Sequence, residues 1–367
     1  MKVLFANRKD CLTRRGGDTT QMLLTKKYLE TMYGLDIEFC FDAEELLEKE
    51  CDIVHIFNVQ TYNESAAFIK SALQKKFKIV LSPIYWNYNY AMFSYALGVL
   101  KIYKPRKIHK HLSSPAIYVG SKLLKNVYQS KNTRKTVEYI IDNSDILLPN
   151  SNEELEMIQK HFKLARPIHH SIVPNAIELP LQTFPVYPKD NNIVIQVGTI
   201  IPGKNQMGTL LSLIKKPEIK IYFVGRIQDF NYYQSMLKIA KRRGNVFFTG
   251  ELSSNEVNEY YQKAKVHVLP SFGETTALVS LEAMLYGCEI VVSNADHIPV
   301  KYYKYDEIGH ICNPFDTNSI KRSILNAIEH PKYNAVKAKD YFDFFNYSIV
   351  AEKTYNSYLN LLLNNRS

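Results

Sequence analysis

Short apolar runs alternate along the chain with longer stretches whose apolar residues recur every three or four positions. The first kind predicts buried β-strands and the second predicts helices lying on a sheet. In the first half, strands are expected at residues 3–6, 53–57, 79–81 and 146–148, and a helix at 18–32. Asp18-Thr19-Thr20-Gln21 has the form of a capping box that would start this helix. In the second half, the expected strands are 193–197, 219–224, 246–248, 266–269 and 290–292, with helices beginning near Asn205, Asp229, Ser254 and Thr276. Alternating strands and helices mean βαβ units and parallel sheets. Pro180, Pro185 and Pro188 fall in a stretch with little periodicity, which reads as a linker. The pattern therefore predicts an α/β chain of two Rossmann-like domains, residues 1–180 and 181–332, whose loops face a cleft between them. Residues 333–367 are helical in period and aromatic, with Tyr341, Phe342, Phe344, Phe345, Tyr347, Tyr355 and Tyr358.

Composition narrows the class. A chain of 367 residues is long enough for two cores, and 46% hydrophobic with 22% charged residues excludes a disordered or fibrous chain. Five scattered cysteines without a C-x-x-C pair argue against a zinc ribbon or disulfide framework and for a reducing compartment. The charges that end at Arg8 leave too short an apolar run for a secretory leader, so a cytoplasmic location is expected. Residues 79–100 carry no charge, but Ser82, Pro83, Asn87, Asn89 and Ser94 argue against a membrane span.

The net charge of +10 is unevenly spread. Residues 65–137 hold 14 Lys and Arg and no Asp or Glu, leaving 32 basic and 36 acidic groups on the other 294 residues. Such a segment is either a solvated face or a surface for an anionic partner, of which a membrane, a nucleic acid and a polyphosphate are examples.

The chemistry concentrates in Pro270-Ser271-Phe272-Gly273-Glu274-Thr275-Thr276-Ala277-Leu278-Val279-Ser280-Leu281-Glu282-Ala283-Met284-Leu285-Tyr286-Gly287. If helical spacing held throughout, Glu274 and Glu282 would stand about 12 Å apart. Free amides of a helix start would lie between them as an anion site. Two carboxylates around an anion cradle suit a nucleotide-sugar, with ribose, diphosphate and hexose in line. The alternative is a helix-capping Glu274 and a surface Glu282.

This stretch resembles the E-x7-E signature of the retaining glycosyltransferases of family 4, which adopt the GT-B fold with a C-terminal helix crossing back to the first domain. Leu281-Glu282-Ala283-Met284-Leu285-Tyr286-Gly287 followed by Ile290-Val291-Val292-Ser293 matches it nearly letter for letter. Three further segments are similar in the same order: Gly16-Gly17 after the first strand, Pro174-Asn175-Ala176-Ile177-Glu178, and Val197-Gly198-Thr199-Ile200-Ile201-Pro202-Gly203-Lys204-Asn205-Gln206. The resemblance implies that Lys204 neutralises the donor diphosphate, Glu274 meets the donor sugar and Glu282 the ribose. It places the amides of Thr275, Thr276 and Ala277 near the sugar and distal phosphate, and Gly16, Gly17 and Gly198 where backbone approaches the ligand closely. It also implies retention of anomeric configuration without a metal or other cofactor. A UDP- or GDP-sugar would be the donor and a glycan or lipid-linked molecule the acceptor, in bacterial surface polysaccharide or lipopolysaccharide synthesis.

The departures are local. The arginine that accompanies the lysine in that family is Thr199 here, and Arg226, after Phe223-Val224-Gly225, either replaces it or is simply solvated. The family histidine is absent from Leu81-Ser82-Pro83-Ile84-Tyr85-Trp86-Asn87; Tyr85, Trp86 and Asn87 either contact the sugar or pack in the core. Aromatic residues of 83–103 followed by Lys104, Arg106, Lys107 and Lys110 suggest a face resting on anionic lipid at the inner side of the plasma membrane. The alternatives to a hexosyltransferase are a sugar-nucleotide epimerase or phosphorylase of the same fold, and a nucleic-acid-binding protein using segment 65–137.

Overall fold

The computed structural model describes residues 1–14, 16–88, 91, 131–179 and 187–363. They form two compact units. Residues 1–86, 131–179 and 342–363 make the first, and residues 187–341, with Asn87, Tyr88 and Ala91, make the second.

The first unit contains a five-stranded parallel sheet in the order β2-β1-β3-β4-β5: β1 (Lys2–Ala6), β2 (Asp36–Cys40), β3 (Ile53–Phe57), β4 (Lys78–Ser82) and β5 (Ile146–Leu147). Helices cover it, so β1, β3 and β4 are buried along nearly their whole length and read as short, largely apolar runs. Every residue of β3 is buried. Its one imidazole, His55, is hydrogen-bonded to Tyr358 Oη at 2.5 Å and Ser82 Oγ at 2.8 Å, and burial lowers its pKa to about 3. His55 is thus a neutral core residue that ties the last helix, Tyr347–Leu363, to the sheet. That helix lies on Gly17–Tyr33, where Tyr33 and Tyr355 stack with centroids 4.1 Å apart.

The second unit holds six parallel strands in the order β11-β10-β9-β6-β7-β8: β6 (Asp190–Val197), β7 (Lys220–Val224), β8 (Val246–Gly250), β9 (Ala264–Leu269), β10 (Glu289–Ser293) and β11 (His310–Cys312). Strand order reverses at β6, which lies between β7 and β9. In doubly wound sheets the crevice beyond such a reversal is where ligands bind.

Three expectations from the sequence need correction. Gly16, not Asp18, caps helix Gly17–Tyr33 and no side chain bonds to the cap, because the Asp18 carboxylate accepts from Arg8 Nε at 3.2 Å and Asn58 Nδ2 at 3.3 Å. The tail rejoins the first unit at Phe342 rather than at 333, because Tyr341 Oη donates to Tyr303 O in the second. Asn87 and Tyr88, placed with the first domain by the sequence, group with the second; Tyr88 packs so closely on Gly273 that a Cβ there would lie 2.9 Å from its ring.

Candidate functional site

The loops that leave β6, β7 and β9 build one site at the carboxyl ends of adjacent strands. β6 ends at Val197 and β7 at Val224, and each is followed by a glycine, Gly198 at φ +145 and Gly225 at φ +146. Side chains rarely adopt this backbone region. A Cβ on Gly225 would stand 2.3 Å from Gly198 O, so the two loops touch backbone to backbone.

Beyond Gly198, a 3-10 turn at Pro202–Lys204 leads through Asn205, in the left-handed region at φ 54, into helix Gln206–Ser212. Asn205 Nδ2 donates to Pro270 O at 3.0 Å and Pro314 O at 2.8 Å, while Phe272 N donates to Gly203 O at 2.9 Å. These bonds lock the β6 loop to the β9 loop. They bring Lys204 and Glu274, 70 residues apart, into an ion pair with Lys204 Nζ 2.5 Å from Glu274 Oε1.

The β9 loop is held from behind. Glu274 N donates to His297 O at 2.9 Å, and His297 Nδ1 lies 3.1 Å from Phe272 O, which makes that nitrogen the donor. His297 is buried and its pKa is lowered by desolvation, so the ring is neutral. Tyr305 Oη donates to Thr276 O, and Tyr303 Oη lies 3.3 Å from Thr276 Oγ1. Ala277 adopts φ 65 and opens helix Leu278–Leu285, whose start no side chain caps. Ser280 N donates to Ala277 O at 2.8 Å, and the amides of Leu278 and Val279 ahead of it have no intrahelical acceptor, leaving donors for an anion.

The helix therefore begins at Leu278, later than the expected Thr276, because Tyr303 and Tyr305 hold the Thr276 carbonyl and hydroxyl in the loop. Helical spacing does not run from Glu274 to Glu282, and the amides of Thr275, Thr276 and Ala277 are loop amides. Glu282 sits half-buried on the helix, where desolvation raises its carboxyl to about 7.

Thr199 keeps its carbonyl on Gln206 Nε2 at 2.8 Å, and Arg226 is half-buried one residue past Gly225. Gly16 and Gly17 stand at the start of the first helix, and nothing lies within 4 Å of where a Gly17 Cβ would be. Ile84, where that family's histidine is expected, is in the left-handed region at φ 49. Tyr85 and Trp86 are buried; Tyr85 N donates to Glu154 Oε1 at 2.7 Å and its hydroxyl lies 2.8 Å from His161 Nδ1. The Tyr85 hydroxyl and amide are thus engaged, whereas the buried Trp86 Nε1 has no hydrogen-bond partner among the described residues. Lys104, Arg106, Lys107 and Lys110 lie outside the described residues.

Residues 183–340 match the family described as glycosyl transferases group 1. The fold of the chain is GT-B, and solved structures similar to it share little sequence with it. Sucrose-phosphate synthase from Thermosynechococcus elongatus aligns with a TM-score of 0.73 at 16% identity, over 99% of this chain and 100% of its own. Anabaena HepE in complex with UDP and glucose aligns at 0.66 and 13% identity, over 97% of this chain and 99% of its own. Among curated relatives, the poly(glycerol-phosphate) alpha-glucosyltransferase of Bacillus subtilis (strain 168) is 24% identical over 245 residues, 62% of this chain and 36% of that protein. The chain spans between 24% and 62% of the length of four such relatives. Among the described residues no helix is long and apolar enough to cross a membrane.

The sequence reading missed His297, Tyr303, Tyr305 and the Asp18–Arg8 pair. Two signals were available. His297 lies four residues past the end of a buried strand, where site loops belong in such sheets, and Arg8 and Asp10 flank the turn after β1.

Proposed function

We propose that the chain is a retaining glycosyltransferase that moves a hexose-type sugar from a UDP- or GDP-sugar to a glycan or lipid-linked acceptor in surface polysaccharide or lipopolysaccharide synthesis. The observation that carries the reading is the Lys204–Glu274 pair, set beside an uncapped helix start at the strand-order reversal of the second sheet. The fold of HepE with UDP and glucose, and the names of the curated relatives, support it.

In this reading the second unit binds the donor. Glu274 accepts hydrogen bonds from sugar hydroxyls, Glu282 accepts them from ribose, and Lys204 with the loop and helix amides faces the diphosphate. The bond between the anomeric carbon and the diphosphate oxygen breaks, and a bond to the acceptor oxygen forms on the same face. The acceptor proton passes to the departing phosphate oxygen. Lys204 and the amides stabilise the charge growing on that phosphate, so the electrostatic work needs no metal. The acceptor belongs to the first unit, and the basic segment 65–137, read from the sequence, suits an anionic membrane surface at the cytoplasmic leaflet.

The test is substitution. Lys204→Ala and Glu274→Ala are each expected to lower turnover about 100-fold, the scale for loss of one preorganised electrostatic contact. Full activity in either variant would remove the assignment. Activity in a chelator should equal that without one.

A further inference from the structure

As they stand, the charges of Lys204 and Glu274 cancel, because Nζ and Oε1 are 2.5 Å apart. A nucleotide-sugar brings an ionised diphosphate to this place, and a neutral pair by itself offers that anion little net attraction. Thr199, the first side chain beyond Gly198, carries no charge.

The neighbouring strand supplies a cation at the matching point. β6 and β7 pair in parallel with Val197 opposite Val224, and the bridge between Ile200 and Ile227 continues the same register past the strand ends. Gly198 therefore stands opposite Gly225, and Thr199 opposite Arg226. The backbone bonds agree: Gly198 N donates to Val224 O at 2.8 Å and Ile200 N to Arg226 O at 2.9 Å. On the other side, the Lys204 side chain runs along Gly198, 3.9 Å from where a Cβ would be.

Arg226 is half-buried, and among the described residues its guanidinium has no carboxylate and no hydrogen-bond acceptor. The other buried or half-buried arginines among the described residues are engaged. Arg243 donates to the carbonyls of Leu213, Lys216 and Ile219, and Arg8 holds Asp10 and Asp18.

We propose that Arg226 is a second diphosphate-binding cation of the donor site beside Lys204, delivered from β7 at the register point where β6 presents Thr199. The inference rests on the nucleotide-sugar reading above. A guanidinium is suited to the task because its planar fork matches two phosphate oxygens at once.

The experiment is calorimetric titration of the full chain with UDP, GDP, uridine and guanosine. Wild type is expected to bind one diphosphate more tightly than its nucleoside. Arg226→Ala should lower affinity for that diphosphate about tenfold or more, the scale of a hydrogen bond to a charged group, and leave nucleoside affinity unchanged. Adding Thr199→Arg to that variant should recover diphosphate binding, since the new cation rises from the opposite register position. Unchanged diphosphate affinity in Arg226→Ala overturns the proposal. So does an equal loss for nucleoside and diphosphate, accompanied by a lower ligand-free melting temperature. Failure of Thr199→Arg to recover binding overturns the register argument. A wild type that binds none of the four ligands overturns the donor-site reading itself.

Discussion

Glu282 has an environment unlike that of an ordinary glutamate. Desolvation lifts its carboxyl to about 7, so near neutral pH the free protein holds a mixture of protonated and ionised forms. Only the ionised form offers both oxygens as acceptors to a pair of ribose hydroxyls. Diphosphate-nucleoside affinity is therefore expected to strengthen as pH rises from about 6 to about 8, and Glu282→Gln should flatten the profile. Calorimetry with UDP and GDP across that range decides it; a flat wild-type profile would refute the role. The sign is opposite for stability, where a raised folded-state pKa costs stability as pH climbs through it. At this scale the sequence was informative but incomplete. Glu274 and Glu282 stood out by type and spacing and Lys204 by family resemblance, whereas His297 did not, because its role depends on contacts to Glu274 N and Phe272 O that no local pattern encodes.

At the level of elements, the strands of both sheets were legible because strands buried on both faces must be apolar over their length. β2 (Asp36–Cys40) and β11 (His310–Cys312) escaped, since Asp36 and Glu38 interrupt the first run, which is only partly buried, and the second is three residues long with two of them half-buried. Helix starts were less legible. A side chain that suits a cap competes with every other partner in reach, as Asp18 shows by binding Arg8 and Asn58 instead. The junction of β6 and β7 gives the element-scale prediction. Gly225→Ala places a Cβ 2.3 Å from Gly198 O at φ +146, so the two loops must separate. The variant is expected to lose about 1–3 kcal/mol in urea denaturation and to lose nucleoside diphosphate binding with it. Wild-type stability would show that the loops do not touch as described.

For the whole molecule, charge distribution is the informative property. The net charge of +10 arises from segment 65–137, the rest being slightly acidic. Near an anionic leaflet each such charge contributes about 1 kcal/mol, screened within a Debye length. Sedimentation with anionic vesicles at low salt should carry the protein down, and neutral vesicles or high salt should leave it in solution. Changing Lys104, Arg106, Lys107 and Lys110 to Glu should weaken the binding. A wild type indifferent to anionic vesicles would favour a soluble acceptor.

The sequence by itself determined the two parallel α/β sheets and the chemical identity of the loops after β6 and β9, because apolar period and short motifs are local properties. The tertiary structure alone decided which of these residues meet. Sheet order is set by crossover connections, so the contact of Lys204 with Glu274 and the placing of Arg226 opposite Thr199 depend on strands that neighbour one another in space and lie far apart in the chain. It also decided which polar groups are satisfied at a helix start, since the Asp18 carboxylate and the Thr276 carbonyl each found a partner that only packing could bring within reach.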